Sequence, residues 1–173
     1  MLTIRAAEAE DAARIANVHV KTWRATYADL IPAAYIKAFA QESRSIYWAR
    51  VMGTRRPEDV LLVSEDDDGT IVGFIHGGPI RSVIPGHAQE IYALYVLPGF
   101  QESGHGRRLF LAACDRLSRG EGNGLAVWVL RGNPAEGFYK HLGGTLVSSR
   151  TIRIGGADID ELAYGWADVP SYD

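Results

Sequence analysis

The chain has 173 residues, of which 47% are hydrophobic and 23% are charged, and its net charge at pH 7 is -3. This length and composition are typical of one globular domain, so we predict a single domain over residues 1–173. The small negative charge excludes the strongly basic surface with which proteins bind nucleic acid or anionic membranes.

Cys114 is the single cysteine of the chain, which excludes an internal disulfide bond. Its position in an apolar segment favours a buried packing role over a nucleophilic one. No stretch has the apolar length of a membrane span, and the N-terminus lacks the apolar core of a signal peptide. We therefore predict a cytoplasmic protein.

The first third of the chain predicts a strand followed by helices. Residues 2–6 are typical of a short strand. Residues 8–27 predict a helix, because their apolar side chains recur at the spacing that places them on one face of a helix. Pro32 suits the first turn of a second helix, and residues 42–52 predict a third.

Two hairpins are predicted, one on each side of the central part of the chain. Residues 60–64 and 70–77 are β-rich and flank an acidic run that ends in Asp-Gly, which is a strong hairpin signal. Residues 145–154 and 158–167 form a second such pair around two adjacent glycines. The acidic run is most simply a solvated turn.

The central part alternates strands and helices. In residues 90–97 and 125–130, the odd-numbered and the even-numbered positions are both mostly apolar. Because alternate residues of a strand point to opposite faces, this predicts strands that are buried on both faces. Residues 107–118 predict a helix after the first of them, and Asn133 and Pro134 open a short helix after the second. A central region in which strands alternate with helices, flanked by two hairpins, predicts an α/β fold with a mixed sheet and helices on both faces.

A glycine-bearing loop, residues 101–107, joins the first central strand to its helix. The amide groups at a helix N-terminus lack partners within the helix, and Gly104 and Gly106 let phosphate oxygens approach the main chain. We therefore predict an anion-binding loop. A Walker loop would carry Gly-Lys-Ser/Thr, but Arg107 follows Gly106, and a Rossmann fingerprint would have a third glycine where Leu109 stands.

This loop resembles the pyrophosphate loop of the GNAT superfamily of N-acetyltransferases, Gln/Arg-x-x-Gly-x-Gly/Ala after a strand that ends near Val-x-Pro. The matching residues are Gln101, Gly104 and Gly106, with Val96 and Pro98 before them. Residues 133–143 resemble the family's second motif, Asn-x-x-Ala-x-x-Phe-Tyr-x-x-x-Gly, with Gly137 next to the usual alanine position. The resemblance implies a mostly antiparallel sheet that splays open at its centre.

The resemblance also implies acetyl-CoA as co-substrate and acetyl transfer to a primary amine by direct attack in a ternary complex. The pyrophosphate would meet the loop amides, and the pantetheine arm would run along the strand. The residues so implied are Leu94, Tyr95, Val96, Gln101, Glu102, Ser103, Gly104, His105, Gly106, Arg107 and Asn133. We expect the side chain of His105 to be exposed, and Asn133 is equally suited to cap a helix.

Tyr139 is the candidate general acid. A phenol has an ordinary pKa of about 10, so it is protonated at neutral pH and can donate to a departing thiolate. A tyrosine beside Phe138 is also a usual core residue, but its place in the second motif favours the catalytic role.

Glu90 is the candidate general base. It precedes Gln101 by eleven residues, the offset at which the histone-acetyltransferase branch of the superfamily carries its catalytic glutamate. Many other members use a water chain instead, so a solvent-facing glutamate at a strand end is an equal alternative.

Trp23 and Tyr27 are candidate contacts of the amine acceptor, because the first two helices shape the acceptor site in relatives. Aromatic residues at helical spacing are also typical of a core. The five histidines show no paired ligand spacing, and we predict no metal site. GNAT proteins often dimerise, which makes a homodimer an expectation. A non-catalytic acyl-CoA sensor and a protein-interaction domain of the same fold are the alternative functions.

Overall fold

The computed structural model describes residues 2–171, which fold into one seven-stranded sheet with helices on both faces. The strands are β1 (Thr3–Ala6), β2 (Val60–Glu65), β3 (Ile71–Pro79), β4 (Gln89–Val96), β5 (Leu125–Leu130), β6 (Thr145–Ile154) and β7 (Ala157–Trp166). The α-helices are α1 (Ala12–Tyr27), α2 (Ala33–Ala38), α3 (Gln41–Thr54), α4 (His105–Leu117) and α5 (Ala135–His141). Short 3-10 turns precede α1 (Ala9–Asp11) and α4 (Pro98–Phe100).

The strand order is β1-β2-β3-β4-β5-β7-β6. Every neighbouring pair is antiparallel except β4 and β5, which are parallel. Both predicted hairpins, β2–β3 and β6–β7, are present. The predicted mixed, mostly antiparallel sheet is therefore confirmed.

Two apolar layers cover opposite faces of the sheet. Leu62 and Ile75 pack with α4 in the larger cluster, whereas Leu61 and Phe74 pack with α1 and α3 in the second. Alternate residues of one strand point to opposite faces, so helices cover both sides, as predicted. Cys114 of α4 is buried, as expected, and burial raises the pKa of its thiol to about 12. Among residues 2–171, no helix is both long enough and apolar enough to cross a bilayer.

The sheet splits between β4 and β5. The two strands pair only through Gln89–Leu125, Glu90–Ala126 and Ile91–Val127, and no pairing follows toward their C-terminal ends in the described chain. As a result Tyr92 to Tyr95 are only half buried, although we predicted a strand buried on both faces. The prediction fails here because apolar residues that line an open split look the same in sequence as residues of a closed sheet.

A bulge in β4 changes which side chains face each helix layer. Adjacent residues of β3 pair with Ile91 and Ala93, so Tyr92 lies opposite no residue. The extra residue reverses the alternation: Ile91 and Leu94 both pack on the α4 side, whereas Ala93 and Tyr95 pack on the α1 side. The bulge thus places Tyr95 beside α1.

His19 is a buried polar residue of the α1–α3 layer. The Trp48 indole N–H donates to His19 Nδ1 at 3.0 Å, which requires this nitrogen to be unprotonated. Burial lowers the pKa of His19 to about 3 and that of His76 to about 4. Both histidines are therefore neutral at physiological pH.

We expect the free energy of unfolding to fall as the pH is lowered from about 6.5 toward 3. In that window the unfolded chain binds protons that the folded chain does not, and each histidine contributes a slope of up to about 1.4 kcal/mol per pH unit. Above pH 6.5 these groups contribute no pH dependence. Urea unfolding at several pH values measures this. His19→Gln should reduce the dependence of the unfolding free energy on pH; the same pH dependence in His19→Gln and the wild type would contradict the prediction.

Candidate functional site

A cleft of about 550 Å³ lies where β4 and β5 diverge. Its walls come from α1, the end of β4, the loop before α4, and the start of α5. The lining residues are Thr22, Ala25, Thr26, Leu94, Tyr95, Val96, Pro98, Gln101, Glu102, Asn133, Pro134, Ala135, Phe138 and Tyr139. Residues of the two segments singled out from the sequence, from 94 to 102 and from 133 to 139, thus meet across one cleft.

The β4 wall carries Leu94, Tyr95 and Val96, all predicted. The edge of β4 that faces β5 has no strand partner beyond Ile91 in the described residues, so its peptide groups can pair with an extended ligand. Gln101 connects this wall to the loop, because its side-chain amide donates to the Val96 carbonyl at 2.9 Å.

The loop lines the cleft with Gln101 and Glu102 and leads directly into the start of α4. The Arg108 N–H donates to the Gly104 carbonyl at 3.0 Å, the first bond of the helix, so the amides of His105 and Gly106 before it have no carbonyl partner within the helix. Gly104 has φ +88°, a conformation that favours glycine. The helix dipole adds partial positive charge at this end. The loop can therefore hold an anion.

Gly106 keeps space open in that loop. A Cβ built at this position would lie 3.5 Å from the nearest ring carbons of Phe138, an ordinary contact, and its φ is not positive. Neither packing nor backbone conformation thus requires glycine here. The missing side chain instead leaves the main chain uncovered at the helix start, beside the ring of Phe138.

The expectation that the His105 side chain is exposed is wrong. His105 is 7% exposed, and its Nδ1 lies 2.9 Å from the Ser64 hydroxyl, within hydrogen-bonding distance. Helix α4 begins at His105 rather than at 107, which puts His105 one turn before buried Leu109 on the same face. Burial lowers the pKa of His105. Only its backbone amide is thus available to a ligand in the loop, whereas the side chains of Ser103 and Arg107 are exposed.

Asn133 is fixed at the start of α5. Its Oδ1 accepts the Ala135 N–H at 2.9 Å, a bond that caps the first turn, and its Nδ2 donates to the Tyr27 hydroxyl at 3.2 Å. Asn133 also lines the cleft, so capping a helix does not exclude contact with a ligand.

Tyr139 lines the cleft from α5 and is 3% exposed. Aromatic rings surround it, with the Phe138 centroid at 5.2 Å and those of Phe110 and Trp166 at 6.3 Å. Burial raises the pKa of Tyr139 well above its ordinary value, which keeps the phenol protonated. A buried, protonated phenol at a cleft can donate a proton.

Glu90 does not line the cleft. It is 1% exposed, its Oε1 accepts the Arg81 guanidinium at 2.8 Å, and its Oε2 accepts the Arg81 backbone N–H at 2.9 Å. Arg81 also stacks on the Tyr92 ring, 4.1 Å from the centroid. The carboxylate thus holds the segment after β3 against the sheet, and its role as a base stays a prediction.

Trp23 and Tyr27 lie behind the cleft rather than in its wall. The Trp23 indole N–H donates to the Tyr95 hydroxyl at 3.1 Å, and Tyr27 accepts from Asn133. Their role as acceptor contacts also stays a prediction.

The α1 wall consists instead of Thr22, Ala25 and Thr26, which the sequence analysis did not identify. They share the i, i+3, i+4 spacing of one helix face, but small residues on such a face carry no chemical signal of a site. Thr22 is buried, and its Oγ1 has no hydrogen-bond partner in the part of the chain that the structure describes.

Comparison with known proteins agrees with this architecture. The model of the Acetyltransferase (GNAT) family matches residues 17–143. The uncharacterised N-acetyltransferase YuaI of Bacillus subtilis strain 168 is 33% identical over 169 residues, which cover 98% of this chain and 95% of YuaI.

Solved structures share the fold at lower sequence identity. YncA from Salmonella typhimurium with its cofactor acetyl-CoA has a TM-score of 0.71 and 21% identity, covering 100% of this chain and 96% of YncA. The PaiA N-acetyltransferase from Thermoplasma acidophilum in complex with coenzyme A has a TM-score of 0.65 and 20% identity, covering 94% of this chain and 98% of PaiA. On the family match and the identity to YuaI, the chain belongs to the GNAT family of acetyltransferases.

Proposed function

We propose that the protein transfers the acetyl group of acetyl-CoA to a primary amine by direct attack in a ternary complex. The observation that carries this proposal is the cleft itself: at the split between β4 and β5, the loop residues Gln101 and Glu102, just before α4, share one cavity with the buried Tyr139. Coenzyme A or acetyl-CoA in the PaiA and YncA structures supports the choice of cofactor.

The residues around the cleft fit acetyl-CoA. The amides from Glu102 to Arg107 would hold its pyrophosphate, since the Gln101 N–H already donates to the Pro98 carbonyl at 3.4 Å. Each charge-assisted contact contributes roughly 1.5–3 kcal/mol. The free edge of β4 at Leu94 to Val96 would pair with the amide groups of the pantetheine arm, and Asn133 would contact the same arm. The bound molecule supplies the activated acetyl group and a thiolate leaving group.

Tyr139 is proposed as the general acid. Tyr139 lines the cleft, and burial favours the protonated phenol, so its proton would be available to the departing thiolate at neutral pH.

The α1 wall is proposed as the acceptor side. The cofactor groups above use β4, the loop and α5, which leaves Thr22, Ala25 and Thr26 to face the amine. A buried hydroxyl without a partner is costly, so Thr22 suits contact with a polar group.

Two experiments test the function. Acetyl-CoA should raise the melting temperature of the protein, and addition of amines of diverse chemistry should release free thiol with at least one acceptor class. Stabilisation by acetyl-CoA without turnover of any amine would favour an acyl-CoA sensor. If neither effect occurs, the proposed function is wrong, and the alternative of a protein-interaction domain is favoured.

Glu90→Gln decides between a direct base and a relay through water. A direct base predicts a fall in kcat/KM of about two orders of magnitude that diminishes as the pH rises and free amine becomes available. We expect instead a similar pH profile for variant and wild type from pH 6 to 10, because Arg81 occupies both carboxylate oxygens away from the cleft. A large loss at pH 7 that recovers at pH 10 would restore Glu90 as the base.

A further inference from the structure

Helix α1 makes hydrogen bonds to both sides of the split in the sheet. Trp23 Nε1–H donates to the Tyr95 hydroxyl on β4 at 3.1 Å, and Asn133 Nδ2–H, after β5, donates to the Tyr27 hydroxyl at 3.2 Å. Trp23 and Tyr27 lie one helical turn apart, and their ring centroids are 4.8 Å apart. One turn of α1 therefore joins two segments that share no backbone pairing at this level of the sheet.

The Asn133 carboxamide is held at both of its ends. Its oxygen accepts the Ala135 N–H at 2.9 Å, which fixes which end is oxygen and which is nitrogen. One of its two N–H groups goes to Tyr27. Since Asn133 lines the cleft, the second N–H is the group that this side chain can offer to a ligand there.

The surroundings of Tyr27 favour a partner within the chain. Its ring is buried with Ile31, Ile36 and Leu130, and burial raises the pKa of its phenol, so the hydroxyl is neutral. Neither Tyr27 nor Trp23 is a lining residue of the cleft, whereas their partners Asn133 and Tyr95 both are.

We propose that Trp23 and Tyr27 are positioning residues that form a clamp across the split, through the bonds Trp23–Tyr95 and Tyr27–Asn133. Tyr27 orients the Asn133 amide so that its second N–H donates to an amide carbonyl of the pantetheine arm. The inference rests on the acetyl-CoA function proposed above. Tyr27 thus contributes to the affinity for acetyl-CoA by orienting Asn133, and it does not contact the amine.

The test is a double-mutant cycle on acetyl-CoA binding, measured by calorimetry. Asn133→Asp keeps an oxygen for the Ala135 N–H but removes both N–H donors. We expect Tyr27→Phe to raise the Kd for acetyl-CoA about tenfold, as one oriented hydrogen bond is lost. Asn133→Asp should raise it at least as much, and the double variant should match Asn133→Asp within about twofold, since coupled residues do not add.

A kinetic measurement separates the clamp from an acceptor contact. At saturating acetyl-CoA, Tyr27→Phe should keep both kcat and the KM for the amine within about twofold of wild type, because Asn133 does not touch the reacting atoms. Tyr35→Phe is the matched control: Tyr35 is near Trp23, and its hydroxyl has no hydrogen bond within residues 2–171, so its Kd should not change.

The clamp would be overturned by an unchanged Kd for Tyr27→Phe, with or without a raised KM for the amine, or by additive effects in the cycle. Trp23→Phe tests the other bond, and this test does not require Tyr27→Phe to fold. It should also weaken acetyl-CoA binding, and wild-type affinity in that variant would overturn the clamp. A wild-type protein that does not bind acetyl-CoA would instead contradict the proposed function itself.

Discussion

Replacing Tyr139 by phenylalanine should lower kcat by about 10²–10⁴-fold while leaving the Kd for acetyl-CoA nearly unchanged. The substitution keeps the ring that packs against Phe110, Phe138 and Trp166 and removes only the hydroxyl. That hydroxyl makes no hydrogen bond to another side chain or peptide group within residues 2–171, so the fold should be retained. Steady-state kinetics with saturating acetyl-CoA measures the loss.

Tyr164→Phe is the matched control for this result. Tyr164 is also buried, but it lies outside the cleft and donates to Glu136 at 2.8 Å. Its variant should lose some stability and keep its kcat. Since burial raises the pKa of Tyr139, the wild-type rate should also show no loss of the acid at pH 9–10. Wild-type turnover in Tyr139→Phe would remove the phenol from the mechanism.

The segments that carry strong local signals were predictable from the sequence. Strand β5 has the bounds that its apolar run predicts, and the hairpin β2–β3 forms around the Asp-Gly turn. The loop before α4 and the segment from Asn133 to Tyr139 lie on the same cleft, as the family resemblance implies. The strand and the hairpin depend on residues close together in the chain, whereas the shared cleft was predictable only through the family resemblance.

Features that depend on distant partners were not predictable. The ion pair of Glu90 needs Arg81 to fold back beside it, and the fate of the His105 side chain depends on Ser64, 41 residues away in sequence. The bulge at Tyr92 reverses the faces of β4, and no local residue preference marks it. Likewise, the sequence places Trp23 and Tyr27 on one helix face but cannot say which residues they contact.

Gly106→Val should raise both the Kd and the KM for acetyl-CoA by about 10–100-fold, with kcat at saturation little changed. The added side chain fills the bare space at the start of α4, and losing one charge-assisted contact of about 1.5–3 kcal/mol accounts for that range. The fold should persist, because the new Cβ lies 3.5 Å from the nearest Phe138 carbons and the backbone is not in the left-handed region. Calorimetry with acetyl-CoA measures the change.

Gly53→Val is the control, because Gly53 is a helical glycine of α3 with no atom within 4 Å of an added Cβ, and it does not line the cleft. The Gly53→Val variant measures how much stability a β-branched residue costs in a helix, without changing the loop before α4. Gly104 is a less informative site, because its φ of +88° would strain any side chain there. A folded Gly106→Val protein that binds acetyl-CoA as tightly as Gly53→Val would show that phosphate is not held at the start of α4.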